Sequence, residues 1–466
     1  MKVAVSYLRV ALATTINIII YLVTIRYVTW LEGRVLRGVF RNWGRGYKNT
    51  PPNFMQPKTE AEIVAAVANA QHVRLFGAGH SFNSGVVSAQ TLLSLDKYKG
   101  VLWKDPAKKQ IAVKGGTRVR EVVRALLDEG WAFKALPSHD AQSIAGILST
   151  DVHGTGRDWG FVSESVVSLR IVNGKGEVIE CGPDSDLFKA AIGGIGAVGV
   201  IVEVVVQGVD RFNVAQEVAI VELSFVEQNL DRILEKNDHV SLYLFPFTNS
   251  CQLNLWNKTE REQSLLGPQR EFILISLDAL LAAWLGNLAS YAGFLPHISF
   301  LVSRIKRGSN IVMESNEAFN RSIYHLHQEF EFSIPFEDTF PVCRRFMDLY
   351  EEMHPTAVLP YTTFEVRFTP DGHTRALIGP GRDNRRTWID LVCNDSIGYE
   401  RYYAAAEKMM KEIGARPHLG KYTGSMDSSY LAQVYGEHLE RFKELVQEHD
   451  PAGKFSNALT KQLFGL

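Results

Sequence analysis

Cysteine is scarce in this chain: four residues in 466, at Cys181, Cys251, Cys343 and Cys393, with no CxxC pair. None has a histidine at metal-ligand spacing, so a zinc site is not expected and the four read as buried thiols. Excess charge is absent as well. Fifty Lys and Arg stand against fifty-one Asp and Glu, a formal charge of −1, which leaves no electrostatic footprint for a nucleic acid. No internal repeat or low-complexity tract occurs, which excludes a solenoid. The phosphate-loop pattern GxxxxGK[ST] is missing, and at the first glycine loop GxGxxG reads GAGHSF from Gly77, without its third glycine and following helix. HExxH, paired-carboxylate metal motifs and a defensible Ser-His-Asp spacing are missing too.

What remains is the composition of a packed globular protein, 46% hydrophobic and 22% charged, long enough for roughly two to four domains. Two uncharged runs depart from that pattern. Val10 to Ile25 is followed by Arg26, Arg34, Arg37, Arg41, Arg45 and Lys48. The run is a marginal membrane span without a cleavage site, and the basic flank places the bulk of the chain on the cytoplasmic side. The second block, Phe272 to Val302, holds only Asp278 and His297 as ionisable groups and is interrupted by Gly286, Gly293 and Pro296. It reads either as core helices or as a hydrophobic face laid on a bilayer. Membrane association follows as the expectation.

Between the runs, short strands alternate with helices. Thr59 and Glu62 form a capping box ahead of a helix. Strands are expected at Val73–Phe76, Gln110–Lys114, Val166–Val172, Glu177–Cys181 and Val198–Val206, with a helix over Thr117–Glu129 stopped by Gly130. From about residue 210 the chain turns to longer strands, at Ser241–Phe247, Thr362–Phe368 and Trp388–Cys393. Helices are expected over Gly398–Ile413 and Ser428–Gln447. The fold class is α+β. Expected segments are 1–45 as an N-terminal hydrophobic anchor helix, 46–210 as a nucleotide-binding unit, 211–425 as a substrate (cap) domain with a hydrophobic insertion at 272–303, and 426–466 as helices returning to the first unit.

Three glycine-rich loops carry the cofactor signal. GAGHSFN follows a strand directly, so that Gly77, Ala78, Gly79, His80 and Ser81 bring backbone amides close to a phosphate. SIAGILSTDVHGTG, from Ser143 through Gly146, Ser149, Thr150, His153 and Gly154 to Thr155, suits a flat ligand and its diphosphate. AIGGIGAVGVIVEV, with Gly199 and Ile201, is a loop entering a buried strand that could hold an adenine through backbone groups. Each alone is an ordinary turn; together they point to a dinucleotide cofactor.

In that order the motifs resemble the PCMH-type FAD-binding domain of the vanillyl-alcohol oxidase family, and within it the sugar-1,4-lactone and alditol oxidases. RNWGRGYKNTP from Arg41, FEVRF from Phe364, HLGK from His418 and DPAGKFSN from Asp450 resemble the L-gulonolactone and D-arabinono-1,4-lactone oxidase group. The resemblance implies a two-subdomain FAD domain plus a cap, FAD attached covalently through His80, Pro137 near the flavin edge and Ser138 touching substrate. Proline rather than alanine at 137 favours oxygen as electron acceptor. His153 and Thr155 fall on the flavin-binding HGxG, and His418 and Lys421 near the flavin. Asp151 and Val152 depart from the family pattern, standing where small or hydroxyl residues are usual, and Leu419 stands where Trp is common, a change in pocket shape. The block from Phe272 resembles a membrane-associated insertion.

Glu365 and Arg367 lie one residue apart on a strand and share a face, a plausible clamp for a polyol. Alone such a pair is more often a salt bridge; the resemblance reverses that. Lys421 adds a donor able to stabilise negative charge, and the general base stays open among Glu365, Lys421 and His418. Asn257, Asn320 and Asn394 begin glycosylation triplets that matter only on a lumenal face. The expected activity is oxidation of a sugar 1,4-lactone by FAD with oxygen as acceptor, in a membrane-associated protein facing the cytoplasm, at the endoplasmic reticulum in a eukaryote. The alternatives are an alditol oxidase, a lactone dehydrogenase serving a quinone or cytochrome, and a catalytically silent flavin-binding protein.

Overall fold

A computed structural model describes residues 34–36, 38–88, 90–305, 310–320, 326–372, 374–394 and 398–466. The expected anchor run between Val10 and Ile25 lies outside the described residues. The first unit contains a three-stranded parallel sheet, Asn53–Met55, Thr91–Ser94 and Val73–Phe76 in spatial order. Beside it is a five-stranded antiparallel sheet in the order Val178–Cys181, Val166–Val172, Val200–Gln207, Gln110–Lys114, Val101–Asp105. Both sheets face one core through Ile63, Val67, Val73, Leu93, Val172, Val200 and Val202. Phe455 joins that core from the C-terminal segment, and the amide of Val73 donates to Lys454 O (2.8 Å).

Helix starts follow local chemistry. Thr59 Oγ1 accepts from the amide of Glu62 (3.2 Å), as the capping pattern predicts. The reciprocal bond lands one residue early, Glu62 Oε2 accepting from the amide of Lys58 (2.6 Å). The expected helix over 428–447 is two helices, Ser428–Tyr435 and Glu437–His449. Gly436 separates them at φ +53°, a conformation that glycine adopts without the steric cost a side chain would bring.

The cap is an eight-stranded antiparallel sheet. Its spatial order is Asn310–Glu314, Asn213–Glu222, Ser250–Thr259, His239–Leu244, Thr362–Thr369, Arg386–Asn394, His327–Pro335, Arg416–Pro417. One face packs on helices through Phe330, Phe332, Phe346, Phe364, Val366, Ile389 and Leu391. The other face is largely polar and buried, with Ser241, Gln252, Asn254, Glu331, Arg367 and Asp390 among its residues.

The hydrophobic block forms no single long helix. It runs as Gly267–Leu281, a π-helical turn Ala282–Gly286, Asn287–Ala292 and Leu295–Ile305. Among the described residues no helix is long and apolar enough to cross a membrane. Gly286 seats the turn on the sheet, since a Cβ there would stand 2.7 Å from Asn394 Nδ2 and 2.8 Å from Tyr361 Cβ. Ala289, Leu295 and Val302 face inward, whereas Trp284, Leu288, Tyr291, Phe294, Phe300 and Leu301 are exposed.

Candidate functional site

A cavity of about 1390 Å³, counting its open mouth, separates the first unit from the polar face of the cap sheet. Gly77, Ala78, Gly79, His80 and Ser81 line it, directly after the strand Val73–Phe76. The turn must be glycine at 77, because a Cβ there would lie 1.8 Å from Ser143 Oγ. That hydroxyl is already the helix cap of the second loop, accepting from the amide of Gly146 (3.2 Å). Gly146, Ser149, Thr150, Val152 and His153 line the cavity from this second loop, Pro137 and Ser138 from the loop before it, and Gly199 and Ile201 from the third. Arg74 ties the surrounding loops together, donating to the carbonyls of Gly85 (2.7 Å), Ile195 (2.9 Å) and Phe455 (2.5 Å). Burial pulls its guanidinium down to about 10, leaving it charged at neutral pH.

The His80 ring stacks on Trp43 at 4.5 Å and lies 3.9 Å from the ring of His139. Burial lowers His80 to about 3, so the imidazole is neutral at physiological pH. Its Nε2 is out of solvent and has no hydrogen-bond partner among the described residues. A neutral imidazole nitrogen left free in a glycine-walled cavity is a competent nucleophile. These two observations, the cradle that a Cβ would fill and the orphaned Nε2, fit a flavin dinucleotide carried by the three loops.

Two expected cofactor residues stand elsewhere. Gly154 and Thr155 do not line the cavity. Thr155 Oγ1 donates to Val240 O, and the carbonyl of Thr155 accepts from His239 Nδ1. The amide of Gly156 donates to Phe368 O (3.0 Å). This end of the loop therefore clasps the cap sheet to the first unit, because its backbone reaches the strands before it reaches a ligand. Asp151 also turns from the cavity, hydrogen-bonded to Ser163 and Thr374 and pushed up to about 7 by burial.

The cap face supplies charge. Strand register places Glu331 opposite Asp390, Asp390 opposite Glu365, and Glu365 opposite Tyr243. Four strands thus carry one transverse row, with a second row formed by Ser333, Trp388, Arg367 and Ser241. Arg367 donates to Glu331 Oε1 (2.6 Å), while its Nε is buried without a partner among the described residues. Lys421 pairs with Glu329 and lies 3.3 Å from Asp390 Oδ2 and 3.6 Å from Glu331 Oε2. Tyr243 donates to Glu365 Oε1 (2.9 Å). Asn83 Nδ2 holds the HLGK turn by its Leu419 and Lys421 carbonyls (2.7 and 2.9 Å), bringing Lys421 against the row.

Burial opposes ionisation of Glu329, Glu331 and Asp390, and the outcome differs among them. Lys421 and His327 overcome it at Glu329, and Arg367, Lys421 and His153 overcome it at Glu331, so both sit below the ordinary carboxylate range. At Asp390 burial wins over Lys421, with Glu329 and Glu331 reinforcing it, and the carboxyl is held well above that range. At Lys421 burial loses to Asp390, Glu329 and Glu331, which keep the ammonium charged.

His153, Glu331 and His418 bring one ligand atom each within 4.8 Å of one another, a grouping of metal-site type. Two fixed cations already hold Glu331, and His418 Nδ1 accepts from the amide of Gly420 (3.0 Å), so a metal is not assigned. Burial lowers His418 to about 3, which weakens it as a general base. Sequence reasoning missed Glu329, Glu331 and Asp390. The alternation Glu-Phe-Glu-Phe at 329–332 was the available signal, since it puts two acids on the face opposite two core rings.

Residues 51–182 match the FAD binding domain model and residues 204–463 the model described as D-arabinono-1,4-lactone oxidase. The chain is 25% identical over 438 residues to the L-gulono-1,4-lactone dehydrogenase of Mycobacterium tuberculosis, covering 92% of this chain and 99% of that one. It is 26% identical over 444 residues to the L-gulonolactone oxidase of Mus musculus, covering 91% and 98%. A solvent-stable cholesterol oxidase superposes with a TM-score of 0.73 at 16% identity over 93% of this chain and 98% of that one, a likeness of fold alone. With a charged cap facing a glycine-walled cradle, and a family model spanning more than half of its length, the chain belongs to the D-arabinono-1,4-lactone oxidase family.

Proposed function

We propose that the chain oxidises a secondary hydroxyl of a sugar 1,4-lactone of the L-gulono, L-galactono or D-arabinono type. The observation that carries this reading is the meeting of the Glu365–Arg367 pair and Lys421 with the glycine loops across one cavity. Gly77–Ser81, the 143–153 loop and the backbone at Gly199–Ile201 would hold FAD, which would supply the hydride acceptor, with oxygen as the final oxidant and hydrogen peroxide as its product. The protein's own part is orientation and proton handling. Arg367, with Nε free, fixes substrate oxygens and so presents one C–H bond in a single direction. Glu365, which accepts from the Tyr243 hydroxyl and lies in the field of Arg367, takes the hydroxyl proton. Lys421 stabilises negative charge on the oxygen that loses that proton. Incubation with lactones and with open alditols, in air and anaerobically with a dye, measures both substrate class and acceptor. A dehydrogenase reading is favoured by the mycobacterial relative's name and predicts turnover with the dye and little with air.

Covalent attachment of FAD through His80 is part of the proposal, supported by its neutral, unpartnered nitrogen. Wild-type protein is expected to give a fluorescent flavin band after SDS denaturation, and His80→Ala a dark one. A dark wild-type band from yellow protein would mean reversible binding. The exposed apolar stripe Trp284, Leu288 and Tyr291, with Phe294, Phe300 and Arg304 (4.2 Å over the Phe300 ring), supports attachment to a lipid surface, with the catalytic unit facing the cytoplasm. Co-flotation with anionic liposomes, lost in Trp284→Ser/Tyr291→Ser, tests it; equal flotation of both proteins removes the stripe from that role.

A further inference from the structure

Four carboxyls, Glu329, Glu331, Glu365 and Asp390, crowd the cap side of the cavity, and among the described residues that line it the lysine and arginine facing them are Lys421 and Arg367. Glu331 and Glu365 are the direct cross-strand neighbours of Asp390 on either side. Like charges in that position repel, and the crowd can be ionised only as far as positive charge reaches. Arg367 is spent on Glu331 at 2.6 Å, and Lys421 on Glu329. Glu365 is satisfied by the Tyr243 hydroxyl at 2.9 Å. Asp390 receives what is left, Lys421 at 3.3 Å and Arg367 at 3.8 Å, both on Oδ2. Among the described residues its Oδ1 has no hydrogen-bond partner, and it has no solvent contact, in a residue that lines the cavity.

We propose that Asp390 carries a proton on Oδ1 and donates it as a hydrogen bond to the carbonyl oxygen of the lactone, making Asp390 a specificity-determining residue. Because Oδ2 accepts from Lys421, the proton belongs on Oδ1. Its burial high above the ordinary carboxylate range agrees with that assignment. A neutral carboxyl in a water-poor site is a strong donor that brings no extra negative charge to the site. The lactone carbonyl is its natural acceptor; a cyclic ether with a methylene in that place leaves the donor buried and unpaired, which disfavours that ligand. The inference rests on the lactone reading above.

The test compares L-gulono-1,4-lactone with the corresponding 1,4-anhydroalditol, which keeps the ring and hydroxyls and lacks the carbonyl. Asp390→Ala is expected to shrink the lactone-to-ether ratio of kcat/KM at least tenfold, and Asp390→Asn, whose amide N–H replaces the donor, to keep most of that ratio. An unchanged ratio in Asp390→Ala overturns the proposal. An infrared difference spectrum, wild type minus Asp390→Asn, gives a second readout that needs no turnover. A protonated-carboxyl C=O stretch is expected before any ligand is added, displaced when lactone binds. Absence of that band in the ligand-free spectrum overturns the proposal whatever the substrate. If the band is present and wild type neither binds nor oxidises any lactone, the lactone reading itself falls, and the carbonyl as acceptor falls with it.

Discussion

Lys421→Ala is expected to lower kcat by about 10²–10³-fold while flavin content per chain stays normal. The figure is that of removing one preorganised donor from a developing oxyanion. Lys421 is placed for that task by the HLGK turn, whose carbonyls are held by Asn83, and its charge is maintained by Glu329 and Glu331 against the cost of burial. Loss of the ammonium leaves Glu329 without its lysine partner and Glu331 with Arg367 as its remaining cation, so part of the effect should appear as an altered pH profile of kcat. The measurement is steady-state turnover under saturating lactone, normalised to flavin absorbance. A variant that turns over like wild type would exclude Lys421 from the reaction.

Arg367→Ala should be the most destabilising single change at the site, at about 3–5 kcal/mol, because it strips the closest cation from a buried carboxylate. Glu331 and Arg367 are 1% and 9% exposed at their side chains, so water cannot replace the lost partner. A shifted urea midpoint of the holoprotein checks this, and Arg367→Met/Glu331→Gln should recover a large share, since both charges then leave together. Activity should not recover in the double variant, because the free Nε that orients substrate is gone. Full recovery of turnover would reassign Arg367 to packing alone.

Much of the first unit was readable from local chemistry. The strands Val73–Phe76, Gln110–Lys114 and Val166–Val172 begin and end where the sequence placed them, because glycine turns and β-branched runs act over a few residues. The glycine cradle was legible for the same reason. Glu365 and Arg367 were singled out because two residues one apart on a strand share a face, and the family resemblance turned that pair from a salt bridge into a candidate clamp. Glu331 and Asp390 were not, because their meaning comes from register: residues 331, 390 and 365 become neighbours only once three strands far apart in the chain are paired. Thr155 was misplaced on similar grounds, since its partner Val240 belongs to the other unit. The long helix expected across Gly436 shows the opposite failure, an apolar periodicity that continues through a residue whose backbone turns.

The pairing of the strands that carry residues 327–335, 386–394 and 362–369 is free of bulges, whereas the sheet of the first unit carries two register shifts in one strand pair. The unbroken stretch works as a printed grid on which chemistry is addressed by coordinate. Each node, 333, 388 and 367 in one line or 331, 390 and 365 in the next, receives a side chain at a fixed spacing of about 5 Å from its neighbours. New substrate preference can then arise by exchanging the occupant of one node, with the backbone and the other nodes left in place. Lineages built on this sheet would diversify by substitution within the grid and conserve its strand lengths, since a single inserted residue would turn the remaining nodes of its strand to the opposite face.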